Sequence, residues 1–321
     1  MFLGIQKRSL AGFAAGAAAG ISYGLNPLFG KPLLDGGVPV LSMLFFRYAI
    51  SAVILGGWIW MRHGAFRVRW RELYLLVVLG FLFAGSSIFL FESYKYIQLG
   101  LATSLVYLYP VCVALIMVFL RVYPSWQVWL SICATVIGVA LLGMKGDGGT
   151  LHLTGMLFAV LSALCYAVYL VIVNHSQRIR HLSESLLTFY ALVVGAILFL
   201  TYLLWEGIPV TRGIDRISEA GCLVGLAVFP TMISMLTIAL STRLIGATKT
   251  SVLGVFEPIT GILVGTWVFA EPLTTNVIIG IAICIAAVLF LILSEQPTEA
   301  TATANAETKT SRITAKMGKN G

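Results

Sequence analysis

Residues 93–124, SYKYIQLGLATSLVYLYPVCVALIMVFLRVYP, and residues 241–272, STRLIGATKTSVLGVFEPITGILVGTWVFAEP, line up without a gap at an offset of about 148. In that register Ser93-Tyr94-Lys95-Tyr96-Ile97 falls on Ser241-Thr242-Arg243-Leu244-Ile245, Pro110 falls on Pro258 and Pro124 on Pro272. A second echo stands upstream. Leu10-Ala11-Gly12 with Tyr23 returns as Leu153-Thr154-Gly155 with Tyr166, at an offset of about 143. Single matches among Ala/Leu/Gly-rich segments mean little. An ungapped coincidence of two prolines, a basic residue and small residues reads as an internal duplication.

Composition says what solvent the duplicated unit meets. Of 321 residues 59% are hydrophobic and 11% charged, and the mean hydropathy is +0.95. A soluble chain carries about a quarter charged residues. Stretches such as 73–91 and 277–293 run without one charge. About 20 apolar residues span a hydrocarbon core of roughly 30 Å, and in lipid the backbone must satisfy its own hydrogen bonds as helix. The chain therefore reads as an all-α integral membrane protein whose surroundings are the lipid bilayer.

Hydropathy, punctuated by charged, Pro and Gly residues, divides the chain into ten expected spans: 10–31, 38–61, 71–92, 97–120, 124–144, 153–174, 184–205, 219–241, 247–269 and 273–294. The duplication groups them as a first repeat over 10–144 and a second over 153–294. Five spans is an odd number, so homologous halves must enter the membrane from opposite sides. The expected fold is ten transmembrane helices in two inverted five-helix repeats, with a binding site near the midplane between them.

The net charge of +8 does not point to nucleic acid, because the basic residues sit in short connections and in the tail. Eleven Lys and Arg fall on one side before the tail and five on the other, which places both termini in the cytoplasm of an inner-membrane, multi-pass protein. Residues 1–9 are then a cytoplasmic N-terminus. Lys7-Arg8 before an Ala/Gly-rich run resembles a secretory leader, but the apolar pattern continues through Gly30, so the segment reads as a retained span. From 295 to 321 the composition turns to Thr, Ala, Asn, Lys and Glu, and a disordered cytoplasmic tail is expected.

Taken together, these residues resemble the drug/metabolite transporter superfamily, specifically its EamA-type members. The resemblance rests on the Gly12/Tyr23 and Gly155/Tyr166 openings, Arg47 in the second span, 94–110 with its twin 242–258, and Glu257-Pro258 followed by Glu271-Pro272. It covers roughly residues 10 to 294 and implies a ten-helix inverted-repeat fold that exports or exchanges small metabolites. Two departures stand out. Arg121-Val122-Tyr123-Pro124 lacks the acidic residue usual before the proline, and Tyr109-Pro110 stands where the second half has Glu257-Pro258.

An ionisable residue at membrane depth needs a reason. Glu257 lies beside Pro258, which removes a backbone hydrogen bond and frees a carbonyl. The pair suits a cation or an ammonium group, and equally a carboxylate that fixes the helix to Arg47 or a hydroxyl. Arg47 can hold a substrate carboxylate bidentately, or cap helix carbonyls. Asn26-Pro27 interrupts the first span one turn after Tyr23, and Tyr166 and Tyr169 form the corresponding pair in the second half. Thr103, Tyr107 and Pro110 fall at helical spacing. The expected substrate-binding set is thus Tyr23, Asn26, Arg47, Thr103, Tyr107, Tyr166, Tyr169 and Glu257, with Pro27, Pro110 and Pro258 as helix-interrupting hinges. The alternatives are aromatic belts for the tyrosines and close packing for the hydroxyls.

No catalytic, metal or cofactor site is expected. The five cysteines fit no metal motif, and His63, His152, His175 and His181 lie at loops or span ends, unpaired with Glu in a metal spacing. The expected function is a secondary transporter, in the export direction, for small amphipathic metabolites such as amino acids or related compounds. It works by alternating access, as a monomer or homodimer, without a nucleic-acid partner. The competing class is a membrane-embedded enzyme or a channel-like receptor subunit.

Overall fold

The computed structural model describes residues 2–62, 66–93, 96–97, 105–143, 152–214, 216–270 and 275–294. Among these residues the regular structure is entirely helical. In chain order the helices are α1 (Phe2–Gly24), α2 (Asn26–Asp35), α3 (Val40–Met61), α4 (Trp70–Ser93), α5 (Tyr109–Phe119), α6 (Trp126–Gly143), α7 (Leu153–His175), α8 (Glu184–Trp205), α9 (Ile217–Ala227), α10 (Ser234–Ile245), α11 (Ala247–Leu253), α12 (Phe256–Phe269) and α13 (Thr275–Ser294). A π-helical segment, Val228–Ile233, joins α9 to α10.

Seven stretches among the described residues are long and apolar enough to cross a membrane: α3, α4, α7, α8, α9 through α10, α11 through α12, and α13. The shorter α5 and α6 are apolar as well. The other expected spans differ from uninterrupted helices for visible reasons. Span 10–31 is divided at Leu25, and part of span 97–120 lies outside the described residues, as does the expected tail.

Proline sets the interruptions. Pro27 stands at the start of α2, Pro110 at the start of α5 and Pro258 in the first turn of α12. The missing N–H costs nothing in a first turn, where no carbonyl precedes to receive it. Pro230 instead lies within the π-helical segment, where the widened ladder leaves carbonyls for other partners. The expected interruptions at 27, 110 and 258 thus coincide with helix starts, whereas the distortion at Pro230 was not anticipated.

The two repeats interlock. α1 lies against α10 and α12, α3 and α4 against α8, α4 and α5 against α7, and α6 against α13. Small residues make the closest of these contacts possible. Gly12, Gly16, Gly20 and Gly24 share one face of α1. A Cβ at Gly12 would meet Leu244 and Ile245, at Gly20 Phe256, and at Gly24 Thr260 and the Glu257 carbonyl. The same contact occurs in the other half, where Gly155 lies against Tyr96 and Ile97. In the sequence register those two residues correspond to Leu244 and Ile245.

Candidate functional site

The break between α11 and α12 positions an acidic side chain inside the helical bundle. Gly254 and Val255 separate the two helices, and Glu257 follows in the first turn of α12. The interruption leaves the Ser251 carbonyl able to accept a hydrogen bond from the Tyr109 hydroxyl at 2.9 Å. Tyr109 opens α5, immediately before Pro110. It approaches so closely that any Cβ at Gly254 would overlap its hydroxyl. Two interrupted helices, one from each repeat, therefore touch at their interruptions.

Aromatic rings continue from this contact. Tyr109 meets Tyr166 edge-to-face with ring centroids 4.9 Å apart, a favoured arrangement for aromatic pairs. Tyr107 packs on Tyr109 at 5.4 Å, Tyr169 stacks on Tyr166 at 6.2 Å, and Phe83 lies 5.4 Å from Tyr169. Tyr23, Tyr109, Tyr166 and Glu257 face a common cavity, completed by Ser234 and Thr250 and by Gly16 and Gly20 of α1. In this conformation the free space is about 10 Å³, roughly one water molecule. The charge of the nearby Arg47 guanidinium acts on the Glu257 carboxylate.

Beside the cavity stands Arg47, 2% exposed in the middle of α3. Its guanidinium donates to the Thr231 hydroxyl, to Asn26 Oδ1 at 3.1 Å and to the Pro230 carbonyl at 3.3 Å. It also lies over the Tyr23 ring, 5.2 Å from the centroid. Ser51, one turn later, reaches both the Arg47 carbonyl at 2.6 Å and the Ala227 carbonyl at 2.7 Å. Arg47 thereby connects α3, the start of α2 and the π-helical segment, and its ring contact with Tyr23 joins that cluster to the cavity.

The residues anticipated from sequence divide accordingly. Tyr23, Tyr166 and Glu257 face the cavity; Tyr107 and Tyr169 stand behind its aromatic wall. Asn26 and Arg47 form the adjacent polar cluster, and Thr103 lies outside the described residues. Tyr109 was noted only as a departure from the family pattern, yet it is a cavity wall. The repeat register carried the signal, because Tyr109-Pro110 is the counterpart of Glu257-Pro258. Thr231 and the Pro230 carbonyl were invisible as Arg47 partners, since more than 180 residues separate them. A larger cleft of about 490 Å³ lies elsewhere, among Arg67, Arg69, Glu72 and His181. It is a surface feature of the connections, with His181 3.4 Å from Glu72, and joins no interrupted helix.

Comparison with known proteins gives a consistent picture. The EamA-like transporter family matches residues 10–144 and 153–293. An uncharacterized transporter of Archaeoglobus fulgidus is 28% identical over 219 residues, covering 68% of this chain and 75% of that protein. The uncharacterized transporter YxxF of Bacillus subtilis is 27% identical over 175 residues, covering 52% of this chain and 54% of that one. A protein crystal structure superimposes with a TM-score of 0.76 at 19% identity, covering 90% of this chain and 97% of the other, which is a likeness of fold.

Proposed function

Because this chain belongs to the EamA-like transporter family, a family of membrane transporters, we propose that it is a secondary carrier for small amphipathic metabolites, amino acids or related compounds among them, working in the export direction. The observation that carries this reading is the cavity faced by Tyr23 and Tyr109 from one repeat and by Tyr166 and Glu257 from the other. A site shared by both repeats changes its exposure when one repeat moves against the other, which is what alternating access requires. At about 10 Å³ the cavity holds no metabolite, so a solute enters only when the repeats separate.

The architecture proposed is ten membrane spans in two inverted repeats, in the cell inner membrane with both termini in the cytoplasm. The reciprocal contacts, Gly12 on Leu244-Ile245 and Gly155 on Tyr96-Ile97, support it, because a two-fold relation between repeats makes each contact occur twice. In this reading Tyr23, Tyr166 and Glu257 contact the solute. Arg47 and Asn26 hold Tyr23 and the end of α1 in place, and the helix starts at Pro27, Pro110 and Pro258 act as hinges.

Purified full-length protein in liposomes tests the proposal with a radiolabelled panel of amino acids, nucleobases and sugar phosphates. Saturable flux of at least one solute, lost on Glu257→Gln, is the expected result. Saturable flux unaltered by that change removes Glu257 from the site; no flux of any solute counts against the carrier itself.

A further inference from the structure

Away from the cavity between the repeats, we propose that the cleft at the α3–α4 and α7–α8 connections binds the phosphate of an anionic phospholipid headgroup. Its walls come from both repeats: Arg67, Val68, Arg69 and Glu72 from the first, His181 and Leu182 from the second. The space of about 490 Å³ lies within the range of about 300–1,000 Å³ usual for ligand sites. Glu72, the acidic residue in this wall, is buried and already engaged. Its Oε2 accepts the Arg69 backbone N–H at 2.9 Å, and its Oε1 lies 3.4 Å from His181 Nε2. Arg67 and Arg69 are exposed, and among the described residues no hydrogen bond or ion pair holds either guanidinium. Two guanidiniums outweigh one carboxylate, so the cleft keeps a net positive charge. Arg71, Arg178 and Arg180, exposed beside it, add to that charge.

The level of the cleft names the source of the phosphate. α3 ends at Met61 and α4 starts at Trp70, so the cleft stands where two apolar helices reach the edge of the hydrocarbon. Trp60 and Trp70 are exposed at those two ends, as aromatic side chains at the headgroup level are. Planar guanidinium forks match phosphate oxygens, and a basic cleft between transmembrane helices at this level suits an anionic headgroup. Below it, Trp70, Tyr74 and Phe81 form one exposed stripe of α4. An acyl chain can lie along that stripe, and a free phosphate has nothing to place there. Topology by itself asks for basic residues in a connection, not for a cleft with two guanidiniums at its rim.

Native mass spectrometry of the full-length protein in detergent, given equal amounts of dioleoyl phosphatidylglycerol and dioleoyl phosphatidylcholine, tests the site. Retained phosphatidylglycerol is expected to exceed phosphatidylcholine by about tenfold. Arg67→Gln combined with Arg69→Gln should bring the two lipids near parity, and Arg67→Gln alone should go part of the way. Arg121→Gln combined with Arg178→Gln removes the same charge from the same side outside the cleft, and should leave the preference in place. Circular dichroism and elution should be alike in all variants. Parity in the parent protein, an equal loss in both double variants, or no retained lipid overturns the proposal. Glycerol 3-phosphate separates the two sources of phosphate. Added in excess, it should leave phosphatidylglycerol bound; displacement would give the cleft to a free phosphate ester and overturn the lipid assignment.

Discussion

The Tyr109 hydroxyl donates to the Ser251 carbonyl across 2.9 Å and in doing so occupies the space a side chain at position 254 would need. One contact thus joins the start of α5 to the interruption between α11 and α12, and makes glycine obligatory there. Tyr109→Phe is expected to lower unfolding stability by about 1 kcal/mol through the lost hydrogen bond, read by thermal unfolding in detergent. Gly254→Ala should cost more, through overlap with that hydroxyl. The double substitution should be less destabilised than the sum of the two. Strict additivity would mean that the two residues do not oppose each other.

Arg47 is held by three acceptors from two other parts of the chain. A lysine ammonium has no planar fork to serve all three at once. Arg47→Lys should therefore destabilise by about 2 kcal/mol, leaving buried acceptors without partners. A midpoint within a few tenths of a degree of the parent would contradict the bridging role.

Packing of α1 makes a paired prediction about glycines. At Gly24 a Cβ would press on the Glu257 carbonyl and Thr260, whereas at Gly57 nothing lies within 4 Å. Gly24→Ala should destabilise by about 1–3 kcal/mol by overpacking. Gly57→Ala, within α3, should stabilise by about 0.5–1 kcal/mol through the helix preference of alanine. Equal effects at the two positions would sink the packing explanation.

Topology is open to chemical labelling. In a background with the native cysteines replaced, Thr211→Cys and Arg178→Cys lie on opposite sides of the membrane in the proposed arrangement. Both positions are exposed. A membrane-impermeant maleimide applied to intact cells should label position 211 and spare 178 until the membrane is opened. The reverse pattern would invert the proposed orientation.

Much of the fold was legible because its causes are local. A run such as 73–91 carries no charge, and in lipid helix is the backbone's available answer. The prolines at 27, 110 and 258 marked interruptions within the spans, and a missing N–H is tolerated in a first turn, which is where the structure has them. The duplication was legible too, because the ungapped register of 93–124 on 241–272 needs no structure to be seen. That register even contained the equivalence of Tyr109 with Glu257.

Tertiary structure alone decided what these residues meet. Whether Tyr23 and Tyr166 lie in an aromatic belt or beside a cavity depends on how α1 and α7 sit against α10, α12 and α5, contacts between residues far apart in sequence. The partners of Arg47 come from a π-helical segment with no periodic signature, at Pro230 and Thr231. The glycines of α1 announced a close approach without naming the partner. Hydropathy and proline act on the nearest turn of chain, so sequence determined the membrane, the helices and the repeat. The cavity arises where two repeats interlock, and only their packing could bring Glu257 beside three tyrosines.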